Sequence, residues 1–204
     1  MNEKQNISDN ELIAHHLQGD RSAFPVIVRR YQGPMYAFLC RMTGNQAAAD
    51  DLFQDTFLKV HKGLPAYTEQ GTFKSWLFGI ANNVCLDYLR RTKRSAATFV
   101  PWNNSMATMD AGSAASVFEP ADELDPSALL ELKEFGDMVA HALDMLPVVQ
   151  REVFLLRHHA DMPFHEIATL LGRPLNTVLS QMRSSLLNLR SVLREHYEYE
   201  PFDR

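Results

Sequence analysis

The chain has 204 residues, 46% of them hydrophobic, enough to bury one moderate core or two small ones. The polar start "MNEKQNISDN", the lack of any apolar run near the roughly 20 residues that span a bilayer, and only two cysteines (Cys40 and Cys85, with no Cys-x-x-Cys) argue against a secretion signal, membrane insertion, a disulfide framework and a cysteine zinc site. A reduced cytoplasmic protein is expected, and a net charge of −5 counts against nucleic acid as a partner of the chain taken as a whole.

The first helix is expected to open at a capping box, Ser8-x-x-Glu11, and to stop at Gly19. A second helical stretch, "SAFPVIVRRYQGPMYAFLCRM", carries Gly33-Pro34, which should kink or break it. "NQAAADDLFQDTFLKVHKG" is amphipathic through Leu52, Phe53, Phe57 and Val60 and ends at Gly63, and "PAYTEQG" reads as a turn-rich loop. In "TFKSWLFGIANNVCLDYLRRTKR", Thr72 is the expected N-cap, and Phe73, Leu77, Ile80 and Val84 fall at i, i+4, i+7 and i+11. This helix finishes in four bases, Arg90, Arg91, Lys93 and Arg94, which suit its negative dipole end.

Charge is unevenly distributed. Residues 1–94 hold 12 Lys/Arg against 9 Asp/Glu, residues 95–127 hold 5 acids and no base, and residues 128–204 hold 8 bases against 11 acids. The middle segment has small residues, acids and no period, and reads as an extended linker. Asp125-Pro126 then offers an N-cap with proline at the first helical position, and helices follow at roughly 127–145, 148–158, 163–171 and 175–195. The expected class is all-α: two small helical domains joined by an extended acidic linker, the second containing a helix-turn-helix. The expected boundaries are 1–94, 95–127 and 128–194, with a short tail at 195–204.

Chemical readings find little. His165-Glu166 begins like a metalloprotease helix, but Thr169 stands where the second histidine is needed, and His158, His159 and His165 read as polar helix-end residues. No phosphate loop, serine elbow or Cys/His pair appears, so neither an enzyme, a metal site nor a cofactor is expected.

Four stretches, "GDRSAFPVIVRRY", "AAADDLFQDTFLKVHKGLPAY", "FKSWLFGIANNVCLDYLRRTKR" and "LDMLPVVQREVFLLRHHADMPFHEIATLLG", occur in this order. Together they resemble the compact bacterial sigma factors of the extracytoplasmic-function group, a likeness covering about 150 residues and strongest at Trp76-Leu77-x-x-Ile80-Ala81-x-Asn83-x-x-x-Asp87-x-x-Arg90-Arg91. The resemblance implies core RNA polymerase and promoter DNA as partners, an anti-sigma factor as a third, a first domain that opens the minus-ten element and a second that binds the minus-thirty-five element. It places polymerase docking on Asp50, Asp51, Gln54, Asp55 and Leu58. It places promoter melting on Lys74, Ser75, Trp76, Asn83, Arg90, Arg91, Lys93 and Arg94. Physically, Asp51, Asp55 and Leu58 share one helix face at i, i+4 and i+7, a mixed surface that suits a partner helix carrying Arg beside an apolar groove. Melting needs pockets for unstacked bases and a basic rail for phosphates, and the second set supplies the polar and basic parts. Trp76 has two readings, packing inside the domain, which is preferred, and stacking on a base. Asp87 is expected to orient Arg90 or Arg91. The acidic linker either imitates nucleic-acid charge inside polymerase or is a soluble tether.

The second DNA contact departs from the family pattern Gly-Thr-Val-Lys-Ser-Arg-Leu-x-Arg-Ala-Arg. All four basic positions are lost, to Leu179, Gln181, Ser184 and Leu186. Minus-thirty-five contacts are carried over to Arg173, Asn176, Thr177, Ser180, Gln181, Arg183 and Ser184. Leu175, Leu179, Met182, Leu186, Leu189 and Leu193 form one stripe, read as core in preference to a partner surface. A neutral face can still read base edges but lacks phosphate attraction. The expected function is a sigma factor with a weakly charged second DNA contact; the alternative is a sigma-like regulator or adaptor that binds polymerase or another protein without initiating alone.

Overall fold

The computed structural model describes residues 7–69, 71–98 and 126–196. The chain divides into two compact units, Met1–Ala107 and Thr108–Arg204. Every helix and the one 3-10 turn described here lie in one unit or the other, and the described residues contain no strand.

In the first unit, α1 (Asp9–Leu17) opens at the capping box: Ser8 N–H donates to Glu11 Oε2 at 2.9 Å, and Glu11 N–H donates to Ser8 Oγ at 3.3 Å. Asp9 ties the helix down further, accepting from Arg30 and from the Tyr31 hydroxyl at 2.5 Å each. α2 (Ala23–Thr43) runs unbroken through Pro34, where the sequence suggests a kink or break. One lost backbone bond is outweighed there by a face that buries Ile27, Tyr31, Met35, Phe38, Leu39 and Met42. Gly44, at φ +64°, closes α2 in the left-handed conformation that glycine adopts without a Cβ clash. The next residue, Asn45, caps α3 (Gln46–Gly63) by accepting from Ala48 N–H at 2.9 Å. A 3-10 turn (Leu64–Ala66) leads to α4 (Phe73–Thr98), where Thr72 Oγ1 accepts from Ser75 N–H at 3.1 Å. The core is centred on the edge-to-face pair Phe38–Phe78, 5.4 Å between centroids, with Leu12, Leu64 and Leu77 fully buried around it.

The second unit holds α5 (Pro126–Asp144), α6 (Val148–His159), α7 (Phe164–Leu171) and α8 (Leu175–His196). Proline stands first in α5, where its missing N–H costs nothing. The buried Arg151 of α6 caps the end of α5, donating to the Asp144 carboxylate at 3.0 Å and its carbonyl at 2.6 Å. Gly172, at φ +61°, makes the turn between α7 and α8. Leu143, Val153, Leu155, Leu156, Ile167 and Val178 fill the core. α4 runs four residues past the expected boundary at 94. The remaining linker residues, 99–125, and the tail beyond 196 lie outside the described residues.

Candidate polymerase and promoter interfaces

α3 buries Leu52, Thr56, Phe57 and Val60, which turns the intervening positions outward. Asp50, Asp51, Gln54, Asp55 and Leu58 are all exposed, and Leu58 is 58% accessible. Asp50 is distinguished from the others by a hydrogen bond from the Tyr36 phenol. Burial first, then that bond, push Tyr36 up to about 12. Asp51, Gln54, Asp55 and Leu58 form the outward face proper.

At the start of α4, Lys74, Ser75 and Trp76 are half-buried, and Ser75 Oγ lies 2.8 Å from the capping Thr72 hydroxyl. Trp76 packs between Tyr67 (5.0 Å between centroids) and Phe73 (5.7 Å), over Gly63. A Cβ at Gly63 would sit 3.1 Å from the indole, so glycine admits the ring. This geometry supports the packing reading of Trp76. Tyr67, in the loop read only as turn-rich, was not picked out from sequence. Its hydroxyl is buried with no hydrogen-bond partner among the described residues, and burial pushes its pKa up. The aromatic just before the capped helix was the available signal. Farther along α4, Asn83, Arg90, Arg91, Lys93 and Arg94 are exposed while Leu77, Phe78, Ala81, Val84 and Cys85 are buried; Asn83, Arg90 and Arg94 form a strip opposite the core, and Arg91 and Lys93 flank it beyond Cys85. Asp87 pairs with Arg90 at 3.1 Å, both side chains largely in solvent, so the pair orients more than it stabilises.

In α8 the recognition-helix residues separate. Asn176, Ser180 and Arg183 are exposed; Thr177 and Ser184 are half-buried; Ser180 Oγ donates back to Thr177 O at 2.9 Å. Arg173 and Gln181 come together, with Arg173 Nη1 donating to Gln181 Oε1 at 3.1 Å. The other end of the same guanidinium lies 2.5 Å from Glu152 of α6, whose side chain is 1% exposed.

The leucine stripe is core only in part: Leu189 is buried and Met182 and Leu193 are half-buried, but its other three members are exposed. Val178, Ser185 and Leu189 are buried, whereas Leu175, Leu179 and Leu186 are 44%, 41% and 49% exposed. The reason lies in Ser185, whose one hydroxyl proton is shared between Gln150 O at 3.1 Å and Gln181 O at 2.7 Å. Its small side chain lets α8 approach α6 along the Val178–Ser185–Leu189 line, and Asn188 Nδ2 extends that contact to Gln150 Oε1 at 3.0 Å. Leu175, Leu179 and Leu186 fall on the flank of this line.

Among the described residues, no three His, Cys, Asp or Glu side chains are grouped to hold a metal ion, and no helix is long and apolar enough to cross a membrane.

The Sigma-70 region 2 family matches residues 27–95, which hold the α3 face and the α4 strip, and Sigma-70, region 4 matches residues 136–189, which hold α6, α7 and most of α8. The ECF RNA polymerase sigma factor SigM of Mycobacterium tuberculosis is 30% identical over 188 residues, spanning 91% of this chain and 85% of its own. The chain belongs to the extracytoplasmic-function (ECF) RNA polymerase sigma factors. SigE of Mycolicibacterium smegmatis is 30% identical over 181 residues, 87% of this chain, and this chain spans 65% of that longer relative. SigW of Bacillus subtilis is 26% identical and is covered over 92% of its length. Two solved structures share the fold: CnrH in complex with the cytosolic domain of CnrY (TM-score 0.62, 21% identity, 93% of this chain and 99% of that one), and the Bartonella quintana sigma factor RpoE in complex with the anti-sigma factor NepR (0.61, 20%, 84% and 96%). Sigma factors are non-enzymatic initiation factors that bind core polymerase and recognise promoters, and the ECF assignment carries both properties.

Proposed function

We propose that this sigma factor divides its work by unit. Residues 1–94 dock on core polymerase through Asp51, Gln54, Asp55 and Leu58, with Asp50 held beside them by Tyr36, and open the minus-ten element along α4. Residues 128–194 make a secondary minus-thirty-five contact, residues 95–127 tether the two, and residues 195–204 form a tail. The observation that carries the reading is the α4 strip: exposed, polar and basic from Asn83 to Arg94, on a helix whose other side is apolar and buried. Such a strip can follow a phosphate backbone while the helix stays anchored in its domain. The factor acts in the cytoplasm, catalyses no reaction itself and is held in check by an anti-sigma factor, the kind of partner named with the RpoE structure.

Minus-thirty-five binding is weak on this reading. Counting the exposed positions of α8 up to 186, Arg183 is the one cation, and Leu179 and Leu186 stand in solvent where the family pattern has bases. Without those phosphate contacts the electrostatic part of affinity falls. Transcription from a defined promoter, using purified core polymerase with and without the protein, tests the whole proposal. Promoter-dependent transcripts are expected. Polymerase binding without initiation would establish the adaptor alternative instead.

A further inference from the structure

We propose that Arg173 is a positioning residue that locks the recognition helix α8 to its scaffold helix α6, and that it does not contact phosphate. The inference rests on α8 meeting the minus-thirty-five element, as proposed above.

Arg173 occupies the turn between the left-handed Gly172 and Pro174, and its own N–H donates to Ala168 O at 3.0 Å, so its root is fixed by α7. Its guanidinium reaches in two directions. One nitrogen lies 2.5 Å from the Glu152 carboxylate, buried between the core residues Arg151 and Val153 of α6. The other donates to Gln181 Oε1, two turns into α8.

A carboxylate that is 1% exposed requires a counter-charge, because leaving it unpaired in the interior is strongly destabilising. Arg173 supplies that charge from a site that is itself only a quarter exposed. A guanidinium so committed has little capacity left for DNA.

The planar fork also explains why arginine is needed. Only a side chain with several donors in fixed directions can serve Glu152 and Gln181 at once. Because arginine only donates, Gln181 must turn its oxygen toward it. Gln181 thereby loses the free acceptor that a paired contact to adenine requires. Both residues act as struts that set the register of α8, leaving Asn176, Thr177, Ser180, Arg183 and Ser184 to face DNA.

Two measurements test this. The first is thermal unfolding of the full chain carrying Arg173→Ala, Glu152→Gln and both. Glu152→Gln is expected to restore part of the midpoint lost in Arg173→Ala, because it removes the stranded charge; strictly additive losses would overturn the proposal. The second is a salt titration of promoter binding by polymerase reconstituted with each variant, on templates with and without a minus-thirty-five element. Arg173→Ala is expected to weaken binding to the intact template about tenfold with an unchanged salt slope, and Arg173→Lys to be equally weak. A slope shallower by about 0.9, with binding restored in Arg173→Lys, would instead make Arg173 a phosphate contact. If Arg173→Ala does not fold, the double variant carries the same titration. If the unmodified protein binds both templates equally, the DNA reading of α8 fails, and the Arg173–Glu152 lock is still decided by the unfolding data.

Discussion

Val178 is fully buried, and its neighbour Leu179 is 41% exposed, so the boundary between core and solvent on α8 passes between two consecutive apolar residues. Leu186, seven residues on and 49% exposed, lies on the same outer flank. Charge can therefore be added at both positions without entering the core. Leu179→Lys with Leu186→Arg should shift unfolding by no more than about 0.5 kcal/mol, as for other surface changes. If these side chains meet DNA, promoter binding should tighten, with a salt slope steeper by up to about 1.8. A large drop in thermal midpoint would show that the leucines are covered in solution.

The helices were legible because their ends carry local signals: Ser8 with Glu11, Thr72, Pro126 and the glycines at 19 and 63. The α3 face was legible for a similar reason, since burying Leu52, Phe57 and Val60 leaves only one orientation for Asp51 and Asp55. The outward sector of α8 was not. A stripe of leucines marks a continuous apolar surface, but which sector is covered depends on the neighbouring helix, and here a small polar residue, Ser185, makes the closest contact. The partners of Arg173 were hidden for the same reason. Its counter-charge, Glu152, lies 21 residues earlier, directly after Gln150 and Arg151, where sequence spacing carries no sign of the pairing.

Reversing charge on the α3 face should abolish polymerase binding without unfolding the helix. Asp51 and Asp55 are exposed, so Asp51→Arg with Asp55→Arg places like charge against a basic partner while the buried side of α3 is untouched. Repulsion in place of charge-assisted bonds should cost several kcal/mol, or about two orders of magnitude or more in affinity. Co-purification with core polymerase, alongside circular dichroism, checks both halves. Retained binding would move the docking site elsewhere.

Stability should fall in alkali through two phenols. Burial and the Asp9 hydrogen bond hold Tyr31 well above the usual tyrosine range, and Tyr36 is pushed up to about 12. Between about pH 10, where unfolded tyrosine ionises, and these raised values, the folded chain keeps protons that the unfolded chain has lost. Stability from both groups is thus fully present below about pH 10 and declines above it, by at most about 1.4 kcal/mol per pH unit for the buried Tyr31, and by less for Tyr36, which is more open to solvent and better screened. Urea midpoints measured from pH 8 to 12 should show this limb, and Tyr36→Phe should make it shallower. An unchanged limb would remove Tyr36 from the account.

The basic end of α4 should act on melting and leave docking alone. Arg90 and Arg91 are exposed beyond Val84 and Cys85, the last buried residues described in α4, and well along the helix from the capped start at Thr72. Arg90 is held by Asp87 in a pair exposed enough that losing it should cost no more than about 1 kcal/mol. Arg90→Ala with Arg91→Ala should therefore keep the fold and polymerase binding and lose open complex. If both arginines meet the separated strand, the salt slope of open-complex formation should flatten by about 0.7 for each contact removed. Permanganate reactivity of the melted thymines, followed across a salt series, reads both quantities. Full reactivity with an unaltered slope would make the pair a solvated helix end, and melting would then have to depend on the Lys74–Trp76 end of α4.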